Sequence, residues 1–541
     1  MIHKRWIYSP FACAAILALG VTALHSAPKK AVVQHFQTSD RCVACHNSLT
    51  TPSGEDVSIG MAWSATMMAN SARDPYWQAG VRRETIDHPE SKAAIEDECA
   101  ICHMPMARYQ AHSEGRVAQV FSHLPFDMDK TEDKLAADGV SCSLCHQITP
   151  DKLGTRESLV GGFVVDTTKP KGQKNEYGPF KIEDNRPHIM RSSSGGWQPT
   201  EGEHIRKSEL CATCHTLITQ ALGPNGQVIG SLPEQMPYQE WLHSEYKDTR
   251  SCQSCHMPVV KENTPITRVL GEPREGLARH VFIGGNFFLQ RIFSKYRSDL
   301  GVTALPQELA AAAARTVNHL QSETARVTIS GVDLRDGRLQ AVIAVENLGG
   351  HKLPTAYPSR RAWLHVTVRD RNNNVVFESG ALNPDGSING NDNDRDAARY
   401  EPHYTEVSTP DQVQIYEGIM VNQAGQPTTG LLNAVRYEKD NRLLPRGFDK
   451  QTADAEISVR GAAAQDPDFT GGGDRIRYSV ATGNSQGPFR VEAELYFQPV
   501  SFRWASNLRT YNAMEPQRFN RYYDAMSSGS AVVLSSAAVT R

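Results

Sequence analysis

Cys42-Val43-Ala44-Cys45-His46 is the first of five Cys-x-x-Cys-His motifs, and these motifs decide how the chain must fold. We number them motif 1 to motif 5 in chain order; their cysteines are Cys42 and Cys45, Cys99 and Cys102, Cys142 and Cys145, Cys211 and Cys214, and Cys252 and Cys255. The histidines that close them are His46, His103, His146, His215 and His256. Such a motif is typical of haem c attachment, in which two thiols bond the porphyrin and the histidine ligates the iron. The sequence therefore predicts five covalently attached haem c groups.

Zinc sites and redox-active dithiols are the other common uses of paired cysteines. Zinc is disfavoured because no His-x(3–5)-His segment follows any of the five pairs. Histidine makes up 19 of the 541 residues, so its presence after all five pairs indicates haem rather than coincidence. The motifs begin 57, 43, 69 and 41 residues apart, which is too irregular for a repeat solenoid.

Residues 1–27 have the pattern of a secretory signal peptide. A positive start with Lys4 and Arg5 is followed by a short apolar run over 11–23, and small residues at Ala23 and Ala27 offer cleavage points. Export agrees with the haem prediction, because bacteria attach haem c outside the cytoplasm. We expect a periplasmic, cell-surface or extracellular protein, with membrane contact only if the leader stays uncleaved as an anchor.

The fold class expected from the sequence is α+β. Residues 28–300 are rich in turn signals and poor in long amphipathic helices, which predicts a pentahaem domain of short helices and loops around the haems. Short helices are expected to carry most of the motifs, for example over 96–103 and 208–217. Residues 301–322 predict a helical linker. Residues 323–541 contain short alternating stretches separated by Gly, Asn and Pro, which predicts a β-sandwich-like domain with a C-terminal helix over 515–526.

Five further histidines are predicted to ligate the second face of a haem iron, since neutral imidazole is the usual second ligand of electron-transfer haems. They are His280, His351, His204, His188 and His123. His280 and His351 lie beside paired glycines, which would let the backbone approach a flat ring closely. Methionine would raise the redox potential, and Met67 or Met68 is the alternative ligand for one haem.

Three segments resemble multihaem c-type cytochromes, above all the tetrahaem electron carriers that serve hydroxylamine oxidoreductase in nitrifying bacteria. They read WSATMMA at 63–69, CAICHMP at 99–105 and CQSCHMP at 252–258. The resemblance covers residues 38–290 and implies stacked haem pairs, two histidines on most irons and electron transfer outside the cytoplasm. The fifth motif and the appended β region depart from that family. GHKLPT at 350–355 is similar to β modules of other multihaem cytochromes, in which the histidine faces a haem.

Three functions are compatible with this pattern. The chain is an electron carrier if every iron has two protein ligands, or an oxidoreductase for a small nitrogen or sulfur compound if one haem is five-coordinate. Pentahaem nitrite reductases usually carry a Cys-x-x-Cys-Lys motif, which this sequence lacks. In the third function, the β region docks a partner and the haems are a conduit.

The expected partners are redox proteins, either other cytochromes or a quinol-linked membrane complex. Nucleic acid is not expected, because the net charge is −3 and no basic field is present. The oxygen-rich segment NGNDNDRD at 389–396 could hold calcium, but it lacks the glutamate of an EF-hand loop and fits a solvated loop better.

Overall fold

The computed structural model describes residues 33–169, 173–182 and 187–541. The predicted leader, residues 1–27, lies outside the described residues. His35–Arg541 form one compact unit, and of the other unit, Met1–Gln34, only residues 33 and 34 are described. Among the described residues, no helix combines the length and the apolar character needed to span a bilayer.

The region that carries the motifs is built from short helices and two-stranded ribbons. Its helices are α1 (Asp40–Val43), α2 (Ile59–Ser64), α3 (Pro75–Asp87), α4 (Lys92–His103), α5 (Pro105–Ser113), α6 (Thr131–Ala137), α7 (Cys142–Cys145), α8 (Pro187–Ser193), α9 (Ser208–Ala212), α10 (Pro237–Leu242), α11 (Cys252–His256) and α12 (Phe287–Lys295). Its ribbons pair β1 (Asn175–Gly178) with β2 (Gln198–Glu201), β3 (Leu217–Leu222) with β4 (Val228–Gln235), and β5 (Thr264–Pro265) with β6 (Pro273–Arg274).

Each motif lies on or beside a short helix. Helices α4 and α11 end at the motif histidines, and α7 spans the two cysteines of motif 3. The sequence predicted a helix over 208–217, but α9 stops at Ala212 and strand β3 begins at Leu217. The reason is that Leu217 pairs with Gln235 across the β3–β4 ribbon, so the chain becomes extended directly after motif 4.

Helix α13 (Pro306–Glu323) follows the motif region, close to the predicted bounds 301–322. Proline suits the first helical turn, and the alanines at 310–314 favour helix. The Oε2 atom of Glu308 accepts a hydrogen bond from the backbone N–H of Leu305 at 2.7 Å, which satisfies one of the free donors at the helix start.

The C-terminal region is mainly antiparallel sheet. Its strands are β7 (Ala325–Arg335), β8 (Arg338–Asn347), β9 (Arg361–Arg369), β10 (Val375–Ser379), β11 (Glu406–Val407), β12 (Ile415–Tyr416), β13 (Gly418–Val421), β14 (Pro427–Thr428), β15 (Arg436–Asp440), β16 (Gly473–Ala481), β17 (Arg490–Gln498) and β18 (Val532–Thr540). One sheet has the order β10-β9-β17-β18 with β12 beside β9, a second has the order β11-β16-β8-β7, and a third has the order β14-β13-β15. The helices are α14 (Asp392–Arg395), α15 (Phe502–Asn507) and α16 (Met514–Asp524). The combination of helices and sheets confirms the α+β class.

The largest hydrophobic cluster joins the two big sheets to the motif region. Alternate residues of β8 and β16 meet alternate residues of β9 and β17 in this cluster, as do Phe287 and Phe288 of α12 and Tyr76 of α3. The shared core supports the predicted β-sandwich, which stays a prediction, as does the division at residues 300 and 323. It also places side chains of the C-terminal region next to the motifs.

Candidate haem-binding site

The ten motif cysteines form no disulfide with one another, and each is partly buried. In motifs 1, 3 and 4 the backbone N–H of the closing histidine bonds to the carbonyl oxygen of the first cysteine, at 3.0, 3.0 and 2.9 Å. This is one helical turn, so both sulfurs and the imidazole lie on the same short loop. The arrangement provides two thiols and one iron ligand at each motif, as haem c requires.

Four of the five motif histidines are held by a backbone carbonyl. The Nδ1 atom donates from His46 to Ile266 at 2.6 Å, from His103 to Ser71 at 2.9 Å, from His146 to Tyr177 at 2.6 Å and from His256 to Ile283. A proton held on Nδ1 leaves Nε2 as the nitrogen that can bind a metal. His215 has no such bond among the described contacts.

Burial keeps four of the motif imidazoles neutral. It lowers the pKa of His46, His146 and His256, and the pKa of His103 falls to about 4. Only a neutral imidazole has a lone pair for iron, so the low pKa values favour the ligand form over a wide range of pH.

Two motif histidines face a second histidine from elsewhere in the chain. The ring centres of His146 and His280 are 6.3 Å apart with 24° between the planes, and those of His256 and His351 are 6.2 Å apart with 18° between the planes. A metal–imidazole bond is about 2 Å long and a ring centre lies about 1 Å beyond its nitrogen, so two imidazoles on one metal should be about 6 Å apart. The residues present therefore fit an iron at both places.

The second histidines are anchored in the same way as the motif histidines. The Nδ1 atom of His280 bonds to the carbonyl oxygen of Ala278 at 3.0 Å, and that of His351 bonds to the carbonyl oxygen of Lys352 at 2.9 Å. Both rings therefore keep Nε2 available, which is the arrangement expected of a second axial ligand.

Buried charges fix the loop that carries His351. The Nζ atom of Lys352 lies 2.7 Å from Asp440, and its backbone N–H donates to Glu240 of α10 at 3.1 Å. Arg442 bonds to Asp440 at 2.8 Å and lies 3.1 Å from Glu240. Although burial acts to raise it, the charges of Arg442 and Lys352 hold the pKa of Asp440 below its usual range. This network connects the C-terminal region to α10 beside motif 5.

The other predicted second ligands have different surroundings. His204 is buried and its Nε2 bonds to the carbonyl oxygen of Ile148 at 2.8 Å, which leaves only Nδ1 for a metal. His123 donates Nδ1 to Asp133 at 2.6 Å and so keeps Nε2 available. His188 lies exposed on α8. Among the described ring contacts, none pairs these three with a motif histidine, so their role as ligands stays a prediction.

The structure also shows the surroundings of the predicted methionine ligands and of the predicted calcium loop. Met67 and Met68 are partly buried against hydrophobic clusters. In the segment 389–396, the Asp394 carboxylate accepts from Arg361 at 2.8 Å, so its oxygens already have a cationic partner. Methionine ligation and calcium binding stay predictions.

Sequence reasoning missed several residues at the site. The ring of Trp77 stacks on His103 with centres 4.3 Å apart and 3° between the planes. His88 is buried with neither ring nitrogen bonded. Glu240, Asp440 and Arg442 were not singled out either. No local pattern marks such residues, because their partners lie far away in sequence.

The motifs adjoin one another in an order that differs from the sequence. The Cys102 sulfur lies 3.9 Å from the carbonyl oxygen of Cys214, which joins motif 2 to motif 4. The backbone N–H of Cys252 donates to the hydroxyl of Ser208 at 3.1 Å, so motif 5 adjoins α9, which carries the first cysteine of motif 4. The backbone N–H of Gln37 donates to the hydroxyl of Ser143 inside motif 3 at 3.1 Å, so motif 3 adjoins the segment that leads into motif 1. Motif 4 thus has direct neighbours on two sides.

Comparison with known proteins gives a likeness of fold. No family model matches the chain, and no curated protein matches it in sequence. Among solved structures, the chain is similar to the crystal structure of a penta-haem cytochrome c552 from Thermochromatium tepidum, with a TM-score of 0.53 and 15% identity over 94% of this chain and 100% of that one. At that identity the two share a fold. The likeness supports the broad prediction of a multihaem cytochrome fold, while the finer resemblance to the nitrifier carriers stays a prediction.

Proposed function

We propose that this chain is an exported multihaem c-type cytochrome that passes electrons through five covalently attached haems. The observation that carries the proposal is the facing of two motif histidines by remote histidines, at ring separations of 6.2 and 6.3 Å. A haem supplies reversible one-electron chemistry at its iron. The fold likeness to a penta-haem cytochrome points in the same direction.

The chain's own residues have three tasks in this function. The motif cysteines would anchor the porphyrins, the carbonyl-anchored imidazoles would hold four of the irons, and the buried surroundings of these four would limit the access of water. Fixed ligands limit the rearrangement that accompanies each change of charge. Adjoining motifs would place neighbouring haems close together, which short-range electron transfer needs.

Partners and location follow from the same proposal. We infer an exported protein that exchanges electrons with other cytochromes or with a quinol-linked membrane complex, and a C-terminal region that docks one of them. An experiment that exchanges this region between related proteins would test the docking role.

The proposal is tested by counting haems. The full chain is produced in a bacterium that attaches haem c, and its intact mass and its haem-stained band on a denaturing gel are recorded. We expect five haems, and four after the paired change Cys252→Ala and Cys255→Ala. Changing Cys13, which belongs to no motif, should leave the count at five. An exported protein without a haem-stained band would refute the proposal.

An oxidoreductase acting on a small nitrogen or sulfur compound is the second candidate. It is favoured by the surroundings of His46, His103 and His215, since among the described ring contacts none of these faces a second imidazole. An iron with one protein ligand could bind such a compound, whereas an iron with two could not. Carbon monoxide binding by the reduced protein would distinguish the enzyme from the carrier.

A further inference from the structure

The indole ring of Trp77 lies flat against the imidazole of motif 2. The ring centres of Trp77 and His103 are 4.3 Å apart, and 3° separates the two planes. Among the described ring contacts, His146 and His256 are the other motif histidines that contact an aromatic ring, and each contacts a second histidine, at 6.3 and 6.2 Å. Motif 2 is therefore distinguished by a flat side chain packed on the face of its iron ligand.

Two hydrogen bonds to Ser71 hold the same imidazole. The Nδ1 atom of His103 donates to the carbonyl oxygen of Ser71 at 2.9 Å, and the hydroxyl of Ser71 donates to the carbonyl oxygen of His103 at 2.9 Å. These bonds fix the position of the ring and leave Nε2 for the iron. A bond at Nδ1 alone still lets the ring turn about the line from nitrogen to oxygen. The indole blocks this rotation, because a turned imidazole would collide with a flat ring packed on its face.

The first turn of helix α3 holds Trp77 in place. The carboxylate of Asp74 accepts hydrogen bonds from the backbone N–H groups of Tyr76 and Trp77, at 2.8 and 3.3 Å, and Pro75 is the first residue of the helix. Both features stabilise the start of a helix. The side chain of Trp77 is partly buried and packs against the hydrophobic cluster that contains Ala100 of α4. A well-anchored element therefore carries the indole.

We propose that Trp77 is a positioning residue for the haem at motif 2, and that its indole fixes the plane of the His103 imidazole. The inference rests on the proposed function, because it needs a haem at that motif. The plane of an axial imidazole decides which iron d orbital overlaps with its π electrons, so a fixed plane gives the haem one defined set of electronic levels. Groups that orient a metal ligand tune the metal in this way. Motif 2 adjoins motif 4 at the Cys102 sulfur, so the tuned haem would exchange electrons with a neighbour inside the chain.

The experiment uses the holoprotein with its haem count established. Trp77→Leu removes the flat ring but keeps an apolar side chain, whereas Trp77→Phe keeps a flat ring. Trp77→Leu should shift or broaden the electron paramagnetic resonance signal of one haem and shift one midpoint potential, and Trp77→Phe should stay close to the wild type. In a variant that carries both Cys99→Ala and Cys102→Ala, and so lacks the haem of motif 2, Trp77→Leu should leave the remaining signals unchanged.

Trp504→Leu is the matched control. It removes an indole from α15, where the ring contacts Tyr357 and, among the described ring contacts, no motif histidine. Thermal unfolding of both leucine variants measures how much stability each has lost. Trp504→Leu should leave every haem signal and every midpoint potential unchanged.

Four results would overturn the inference. Unchanged signals and potentials in Trp77→Leu would show that the indole does not orient the ligand. Equal effects of Trp77→Leu and Trp77→Phe would show that a flat ring is not what matters. A change in every haem signal, together with a lower unfolding temperature, would show a general structural effect. Loss of the motif 2 haem from Trp77→Leu would show a role in attachment rather than orientation. Fewer than five haems in the wild type would contradict the proposed function itself, which separates the two failures.

Discussion

His351 shows how a single side chain links the two parts of the sequence. It faces His256 of motif 5 at 6.2 Å between ring centres, although it comes from the loop between β8 and β9. Its Nδ1 is held by the carbonyl oxygen of Lys352, so the ring presents Nε2 to the motif. The iron of motif 5 would thus take one ligand from each region.

His351→Ala should convert one of the five haems from low spin to high spin. The substitution removes the second imidazole and leaves the anchored ring of His256, so the haem should stay attached. The change is measured by absorption and electron paramagnetic resonance spectra of the oxidised holoprotein. His365→Ala is the control, because His365 bonds to Glu378 and Glu494 on the sheet surface. Identical spectra for the wild type and His351→Ala would show that this ligand assignment is wrong.

Some residues of the candidate site can be predicted from the sequence, and others cannot. The motif residues are recognisable because haem c attachment requires the Cys-x-x-Cys-His spacing itself. His280 and His351 were selected by the glycines beside them, and the structure lays both opposite motif histidines. The connected charges of Lys352, Asp440 and Arg442 were out of reach, because Lys352 meets the other two only after folding.

The loop 349–355 is the element through which the C-terminal region acts on the motifs. Lys352, Asp440, Arg442 and Glu240 are all buried, and they form one connected set of charges. Buried charges are stable only when every member has a partner, so the set tolerates few positions of the loop. This restriction is what would hold His351 at a fixed distance from His256.

Asp440→Asn should destabilise the protein by about 3–5 kcal/mol at neutral pH, because Lys352 and Arg442 would remain buried without their shared carboxylate. The folded-state pKa of Asp440 is lowered, so its contribution is present above the unfolded pKa of about 3.9 and disappears as pH falls through the folded value. The difference between wild type and variant in urea midpoint should therefore shrink in acid. Glu492→Gln, which breaks an exposed pair with Arg490, should cost no more than about 1 kcal/mol. Equal effects of the two substitutions would contradict the role given to the network.

Helix α13 and strands β7 and β8 form where the local pattern of the sequence is strongest, in an alanine run and in stretches of alternating apolar residues. The end of α9 was misplaced because the β3–β4 ribbon overrides the local helical preference after motif 4. Strand β18 was not predicted from the sequence. It pairs with β17 at the edge of the sheet that contains β9, so its position depends on a strand more than thirty residues earlier in the chain.

At the scale of the whole molecule, we expect the proposed haems to complete the core of the motif region. The motif cysteines are only partly buried, and His215 is exposed in the bare chain. Broad apolar porphyrin faces would cover these surfaces and replace side chains that the sequence lacks. The sequence could predict this dependence from composition, but not the shared core with α12 and the two large sheets.

The chain produced without haem attachment should not fold cooperatively. Since haem would bind only the folded state, its absence removes the corresponding stabilisation. Circular dichroism during heating should show no sharp transition, and limited proteolysis should cut within residues 33–300. The holoprotein, made in parallel, should resist the protease and unfold sharply. A haem-free chain that matches the holoprotein in both assays would contradict this prediction.

The position of His351 has a consequence for biogenesis. A nascent chain that has emerged only as far as α13 already contains every attachment cysteine, yet it lacks the imidazole that faces His256. Motif 5 would therefore acquire its mature spectrum only after the loop 349–355 and the charges at 440 and 442 that hold it have folded. The absorption spectrum of the haem at motif 5 would then show whether this part of the C-terminal region has folded.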